Sequence, residues 1–187
     1  LLRSAARIVT RLKTGKGTIP FQTRWGKLSD VLAAKGNLFD LYQLTYALFT
    51  PEFIDQLVKD GKIKLKQSLA GALTYHDPCY LGRYNDIFDQ PRSILRSVSK
   101  GGLRELERHG RESFCCGAGG GRMWMEETIG KRIYLERSEE IVRQQVSNVA
   151  VACPFCMTMI EDGMKELGKE EEIKTMDIAE LVAKDMA

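Results

Sequence analysis

The sequence predicts an α/β fold: a four-stranded parallel sheet with helices on both faces, together with an N-terminal basic amphipathic helix. Three observations predict it. From residue 71 onward, short β-prone runs alternate with amphipathic helical patterns through four successive pairs. Strands separated by helical crossovers form parallel sheets of the doubly wound kind. A chain of 187 residues with 43% hydrophobic and 28% charged side chains suits one globular core and opposes disorder or low-complexity sequence.

In chain order, residues 1–36 stand apart from residues 37–187. The first segment carries Arg3, Arg7, Arg11, Lys13, Lys16, Arg24, Lys27 and Lys35 against Asp30 alone, which leaves the remainder mildly acidic. As a helix, Leu1 to Lys13 gathers Leu1, Leu2, Ala5, Ile8, Val9 and Leu12 on one face, opposite Arg3, Arg7 and Arg11. Such a helix lies on an anionic membrane surface, docks on a partner, or packs on its own domain. Nucleic acid is not expected, because only Phe21 and Trp25 accompany the charges and no binding motif does. No apolar run approaches the roughly 18 residues of a membrane span. Arg3 and Arg7 also interrupt any secretory signal, so a cytoplasmic setting is expected. A first residue of Leu suggests a processed or incomplete chain.

Residues 37–50, rich in Phe39, Tyr42, Tyr46 and Phe49, fit either a helix or extended packing. Thr50 and Pro51 open a helix through Ile54 and Leu57 that Gly61 ends. Ala72 to His76 is the first strand, followed by a helix around Pro91 to Val98. Leu103 to Glu107 is the second strand; after a Gly-rich loop, Met123 to Val146 has the pattern of one long helix weakened only at Gly130. Asn148 to Ala152 is the third strand, and Pro154 opens a helix along Met157, Ile160, Met164 and Leu167 that Gly168 closes. Glu172 to Met176 is the fourth strand, and Asp177 caps a last helix with Ile178, Leu181 and Val182 inward.

The five cysteines carry the chemistry: Cys79, Cys115, Cys116, Cys153 and Cys156. Their odd number and the expected cytoplasmic setting oppose a disulfide framework, and their placement at strand ends opposes incidental core thiols. In an open parallel sheet the carboxyl ends of the strands share one edge, so Cys79, Cys115, Cys116 and Cys153 converge there. Cys156, on the first turn after Cys153, points back to the same edge, and the helix amino terminus favours its thiolate. Zinc prefers four ligands in paired Cys-x-x-Cys knuckles, and one such pair exists here. An adjacent Cys-Cys pair suits a polynuclear iron-sulfur cluster better. Gly117, Gly119, Gly120 and Gly121 fit that reading as backbone able to approach sulfides and aim N–H groups at them. A phosphate-binding loop is disfavoured, since the glycine spacing of such loops is absent.

Tyr75-His-Asp-Pro-Cys-Tyr-Leu-Gly-Arg-Tyr84, Phe114-Cys-Cys-Gly-Ala-Gly-Gly-Gly121 and Ala152-Cys-Pro-Phe-Cys156 together resemble the cysteine-rich CCG domain of heterodisulfide reductase subunits. The likeness covers about residues 50–187. It is strongest to the D-subunit-like iron-sulfur oxidoreductases, including those serving electron-transfer flavoproteins and the sulfite-reduction membrane complex. The resemblance implies a non-cubane 4Fe-4S cluster held by all five cysteines, with electrons passing between a partner subunit and a disulfide, thiol or quinone acceptor. It implies other redox partners: a ferredoxin-like module, a flavoprotein, or a membrane cytochrome or quinone subunit. The family's second CCG domain and its Cys-x-x-Cys-x-x-Cys-x-x-x-Cys-Pro repeats are not in this sequence, so the chain is similar to a carboxyl-terminal portion. Residues 1–35 are similar to the basic segment that flanks membrane helices in longer members, which implies peripheral membrane contact at the cytoplasmic face. The alternative is a zinc-stabilised interaction module without redox activity.

His76, beside the first cysteine, is a candidate proton donor, although a histidine at a strand end more often caps or packs. Arg83 and Arg122 are candidates to hold an anionic substrate or offset the cluster's negative charge. Met123 and Trp124 are expected to shield the cluster from water. His109 suggests no role.

Overall fold

The computed structural model describes residues 22–23, 26–27 and 50–186. The basic helix expected over Leu1 to Lys13 and the aromatic stretch 37–49 lie outside the described residues. Within the amino-terminal segment, β1 (Gln22–Thr23) pairs antiparallel with β2 (Gly26–Lys27). The main sheet has four parallel strands, β3 (Leu73–Tyr75), β4 (Leu103–Arg104), β5 (Asn148–Val151) and β6 (Lys174–Asp177), in the order β4-β3-β5-β6. Leu73 stands opposite both Leu103 and Asn148, and Ala150 opposite Met176. The predicted parallel class is therefore observed.

The helices are α1 (Pro51–Lys59), a single turn α2 (Gly82–Asn85), α3 (Asp89–Val98), α4 (Ile133–Arg143), α5 (Pro154–Glu166) and α6 (Ile178–Asp185). Side chains alternate along a strand, so β5 sends Ala150 to one face and Val149 and Val151 to the other. The first face packs Leu73, Tyr75 and Ala150 under Ile54 of α1, Ile94 and Leu95 of α3, and Leu181 and Val182 of α6. The second packs Val149 and Val151 under Ile141 of α4 and Ile160 and Met164 of α5. Burial on both sides is why the central strand β5 reads Asn-Val-Ala-Val without alternation, whereas the edge strands β4 and β6 carry the exposed Arg104 and Lys174.

One helix is shorter than its periodicity suggests. Instead of running from Met123 to Val146, α4 covers only Ile133–Arg143. Gly119–Trp124 forms tight 3₁₀ turns interrupted at Gly120 and Gly121, with φ of 66° and 76°, and Gly130 sits at 71°. These left-handed residues break an α-helix that the charge and apolar pattern alone would have continued.

The α4–α5 crossing depends on Gly163. A Cβ there would lie 2.8 Å from Ser138 Cβ and clash with Ser138 Oγ as well. Gly163→Ala should therefore destabilise the fold by about 1–3 kcal/mol, although alanine favours helix, because the crossing has no room to give. Adding Ser138→Gly should recover much of the loss in urea unfolding. Equal stability of Gly163→Ala and the parent would show that the helices can separate freely.

Asp177 caps α6, accepting from the Ala179 N–H at 2.8 Å while its own N–H donates to Glu180 at 3.2 Å. Burial raises its carboxyl from 3.8 to about 6, against the lowering effect of the Ala179 amide. The folded chain then binds more protons here than the unfolded chain between about pH 4 and 6, so this group's contribution falls as pH rises through that window. Asn caps equally well without ionising. Asp177→Asn should gain stability relative to the parent from pH 4 to 7, by at most about 3 kcal/mol. Urea midpoints at the two pH values test this, and a constant difference between the proteins would contradict it.

Candidate metal centre

The chain leaves β3 toward β4 on one side and returns past it to β5 on the other, so the strand order reverses between β3 and β5. The carboxyl ends of strands flanking such a reversal open a crevice. The cysteines lie on the segments that leave these ends: Cys79 after β3, Cys115 and Cys116 after β4, Cys153 after β5, and Cys156 in the first turn of α5. All five are free thiols; Cys116 and Cys156 are buried, Cys115 and Cys153 half-buried, and Cys79 exposed.

The thiols form a contiguous set. Cys116 interacts with Cys115 and Cys156, Cys156 with Cys153, and Cys115 electrostatically with Cys79. A His76 ring nitrogen and the sulfurs of Cys116 and Cys156 lie within 4.8 Å of one another. Cys79, Cys115 and Cys116 also line one pocket with His76, Arg83 and Ser113.

Crowding makes these groups share charge. Cys116 is driven well below the usual thiol range by its neighbours Cys115 and Cys156, with further donation from His76 and the Ala118 amide. Cys115 and Cys156 are correspondingly pushed up, by the Cys116 thiol first and by burial as well. Cys153, at the amino end of α5, falls to about 6 through the Cys156 thiol and the Cys156 and Phe155 amides. The Gly117 N–H lies 3.3 Å from Cys115 Sγ. Gly117 has φ 91°, and a Cβ would come within 3.2 Å of Ile133 Cβ and the Tyr134 nitrogen, so glycine is required there on two counts.

The donor set is soft and thiol-rich, which fits zinc or iron with sulfide and does not fit magnesium or calcium. Asp77, the nearby carboxylate, is already engaged. Both its oxygens accept from Arg92, at 2.7 and 2.9 Å, and Oδ2 also accepts from the Gly110 N–H at 2.8 Å. Burial alone would raise its carboxyl, but Arg92 and the Gly110 amide hold it below the usual range.

Residues 73–161 match the cysteine-rich domain CCG. The probable iron-sulfur-binding oxidoreductase FadF of Bacillus subtilis is 44% identical over 135 residues, 72% of this chain and 19% of that protein. The EtfAB:quinone oxidoreductase of Syntrophomonas wolfei is 39% identical over 158 residues, 81% of this chain and 21% of its own length. The D-type polypeptide of the dihydromethanophenazine:CoB–CoM heterodisulfide reductase of Methanosarcina acetivorans is 34% identical over 132 residues, 71% of this chain and 32% of that polypeptide. The chain carries a CCG domain. It spans a third or less of each of these relatives, and no solved structure matches it.

Other predicted residues of the CCG domain fall into two groups. Arg83 lines the pocket beside Cys79 and donates to the Ser113 carbonyl. Arg122 is half-exposed and paired with Glu127 at 3.2 Å, away from that lining. Gly119 and Gly120 lie on the turn after Cys116, where an added Cβ would meet nothing. Met123 packs against the second apolar cluster, whereas Trp124 is 82% exposed. The sequence reading missed Arg92, Arg137 and Glu140, all buried. The available signal was Arg137 with Ser138 in the inward slot between Tyr134 and Ile141, where the α4 stripe calls for apolar residues.

Arg92 holds this edge together, since it also binds Glu105 at 2.8 Å and the Phe88 carbonyl at 3.0 Å. Arg92→Met would leave Asp77 as an uncompensated buried charge and should destabilise the fold by about 3–5 kcal/mol. Combining it with Asp77→Asn should restore a large part of that in urea unfolding. A loss below about 1 kcal/mol, as at an exposed pair, would refute the role given to this bond.

Proposed function

We propose that this chain is the iron-sulfur part of a larger oxidoreductase, in which Cys79, Cys115, Cys116, Cys153 and Cys156 hold a non-cubane 4Fe-4S cluster. Electrons pass between a partner subunit and a disulfide, thiol or quinone acceptor. The observation that carries this is the contiguity of five free thiols from separate chain segments at the reversal of strand order. The relatives named as iron-sulfur and quinone oxidoreductases support the same reading.

A bound cluster supplies one-electron redox chemistry. The protein's own part is electrostatic. Cys116 is favoured as a thiolate by the Cys115 and Cys156 thiols with the Ala118 amide adding to them, and Cys153 by the Cys156 thiol with the Cys156 and Phe155 amides. At Cys115 the Gly117 amide offsets only part of the upward push from Cys116. Arg83 offsets negative charge beside Cys79 and Cys115, while Arg122 acts at the periphery through Glu127.

Among the described residues, the exposed large apolar side chains are Tyr80, Tyr84, Trp124, Met125, Ile129 and Phe155. All follow or lie between cysteines in sequence, which supports a partner surface around this edge. Ferredoxin-like, flavoprotein and membrane cytochrome or quinone modules are the partners proposed. Residues 1–36 form the second unit of the chain, its basic charge suited to the cytoplasmic face of a membrane. No helix among the described residues is long and apolar enough to cross one.

Anaerobic purification followed by iron, sulfide and zinc analysis and EPR tests the proposal. It expects about four irons and four sulfides per chain. One zinc without sulfide would replace it with a zinc-stabilised interaction module.

A further inference from the structure

On α4, Arg137 is wholly buried, an expensive position for a guanidinium, and burial lowers its proton affinity despite a carboxylate neighbour. Its Nη1 donates to Glu140 Oε2 at 3.0 Å and to the Arg108 carbonyl at 2.9 Å. Glu140 is fixed in turn by the Arg108 N–H at 2.8 Å and Arg108 Nε at 2.9 Å. Neutralising Glu140 does not account for the placement of Arg137, because Arg108 already pairs with that carboxylate. What Arg137 adds is a bond from its Nε to His76 Nδ1, at 3.0 Å.

That bond dictates the chemistry of His76. A guanidinium has donors only, so the imidazole nitrogen facing it must offer its lone pair. A neutral imidazole has one proton, which then sits on Nε2. Protonating Nδ1 would set two donors and two positive charges against each other inside the protein. With Nδ1 held by Arg137, Nε2 is the nitrogen left to approach Cys116, with which the ring interacts.

We infer that Glu140 and Arg137 lock His76 in the Nε2–H tautomer, so that His76 is neither a metal ligand nor a proton donor but a fixed N–H donor to Cys116 Sγ. A nitrogen carrying a proton has no lone pair for a metal. The set of His76, Cys116 and Cys156 is therefore two ligating sulfurs and one donor to sulfur. Donation to a ligating thiolate withdraws negative charge and raises a cluster's potential. Arg137 acts through His76 and is a positioning residue. This redox consequence rests on the proposed ligation by Cys116; the tautomer does not.

The chain has two histidines, so ¹⁵N-histidine labelling of the anaerobic protein gives His76 one reference, His109. The expected result is unprotonated Nδ1 and protonated Nε2 at His76. Arg137→Met should populate both tautomers and shift the midpoint potential negative with iron content retained, and Arg137→Lys should return part of both. Protonated Nδ1 in the parent protein overturns the inference, and that measurement stands even where Arg137→Met fails to fold. Equal potentials in the parent, Arg137→Met and Arg137→Lys proteins overturn the redox consequence, while the lock itself stands or falls with the labelling. A chain lacking iron and sulfide but keeping the Nε2–H tautomer supports the lock and defeats the cluster assignment instead.

Discussion

A carboxylate buried beneath the strand ends must be met by donors, and those that Asp77 collects come from separate stretches of chain. Arg92 reaches it from α3, the Gly110 amide from the loop after β4, and the Ser113 hydroxyl donates to its carbonyl at 3.2 Å. Asp77 lies two residues before Cys79, and Ser113 two residues before Cys115. The same bonds that satisfy the charge thus fix the spacing between the first cysteine segment and the second. Arg92 stacks 5.5 Å from the Tyr75 ring, which ties the arrangement to the first apolar face.

Around this anchor the thiols face an electrostatic problem of their own. Neighbouring sulfurs cannot all ionise without added positive charge, and in the protein alone Cys116 is favoured while Cys115 and Cys156 are disfavoured. Helix and loop amides relieve part of the repulsion at Cys153 and Cys115. A cation or cluster would relieve the rest. This shortage of positive charge separates the group from an ordinary set of core thiols, which would remain protonated and inert.

Much of this was legible in the sequence, for reasons specific to each element. β5 announces itself because Asn-Val-Ala-Val is buried on both faces, and α5 because Pro154 and the spacing of Met157, Ile160 and Met164 agree. The adjacent Cys115–Cys116 pair and the Cys153-x-x-Cys156 pair were visible because they are local, and their meeting with Cys79 followed from the placement of all three segments after strands of one parallel sheet. The length of α4 was not, since helical periodicity continues through 3₁₀ turns whose left-handed glycines only the backbone reveals. The Arg137–His76 bond joins residues 61 positions apart, so no local pattern contains it. The exposure of Trp124 likewise depends on the path of a loop, not on the residue's character.

The two faces of the sheet are unequal in what they ask of the thiols. Under α1, α3 and α6 the apolar cluster is aliphatic and aromatic and closes without cysteine. Under α4 and α5, Cys116 and Cys156 are themselves buried members of the cluster, packed with Val151, Met159 and Ile160, with Cys153 at its margin. Groups proposed to ligate are therefore also groups that fill space. Whatever binds them in the folded state and not in the unfolded chain adds its binding free energy to that layer. The first face can then serve as a scaffold independent of occupancy, while the second couples its packing to the chemistry it carries.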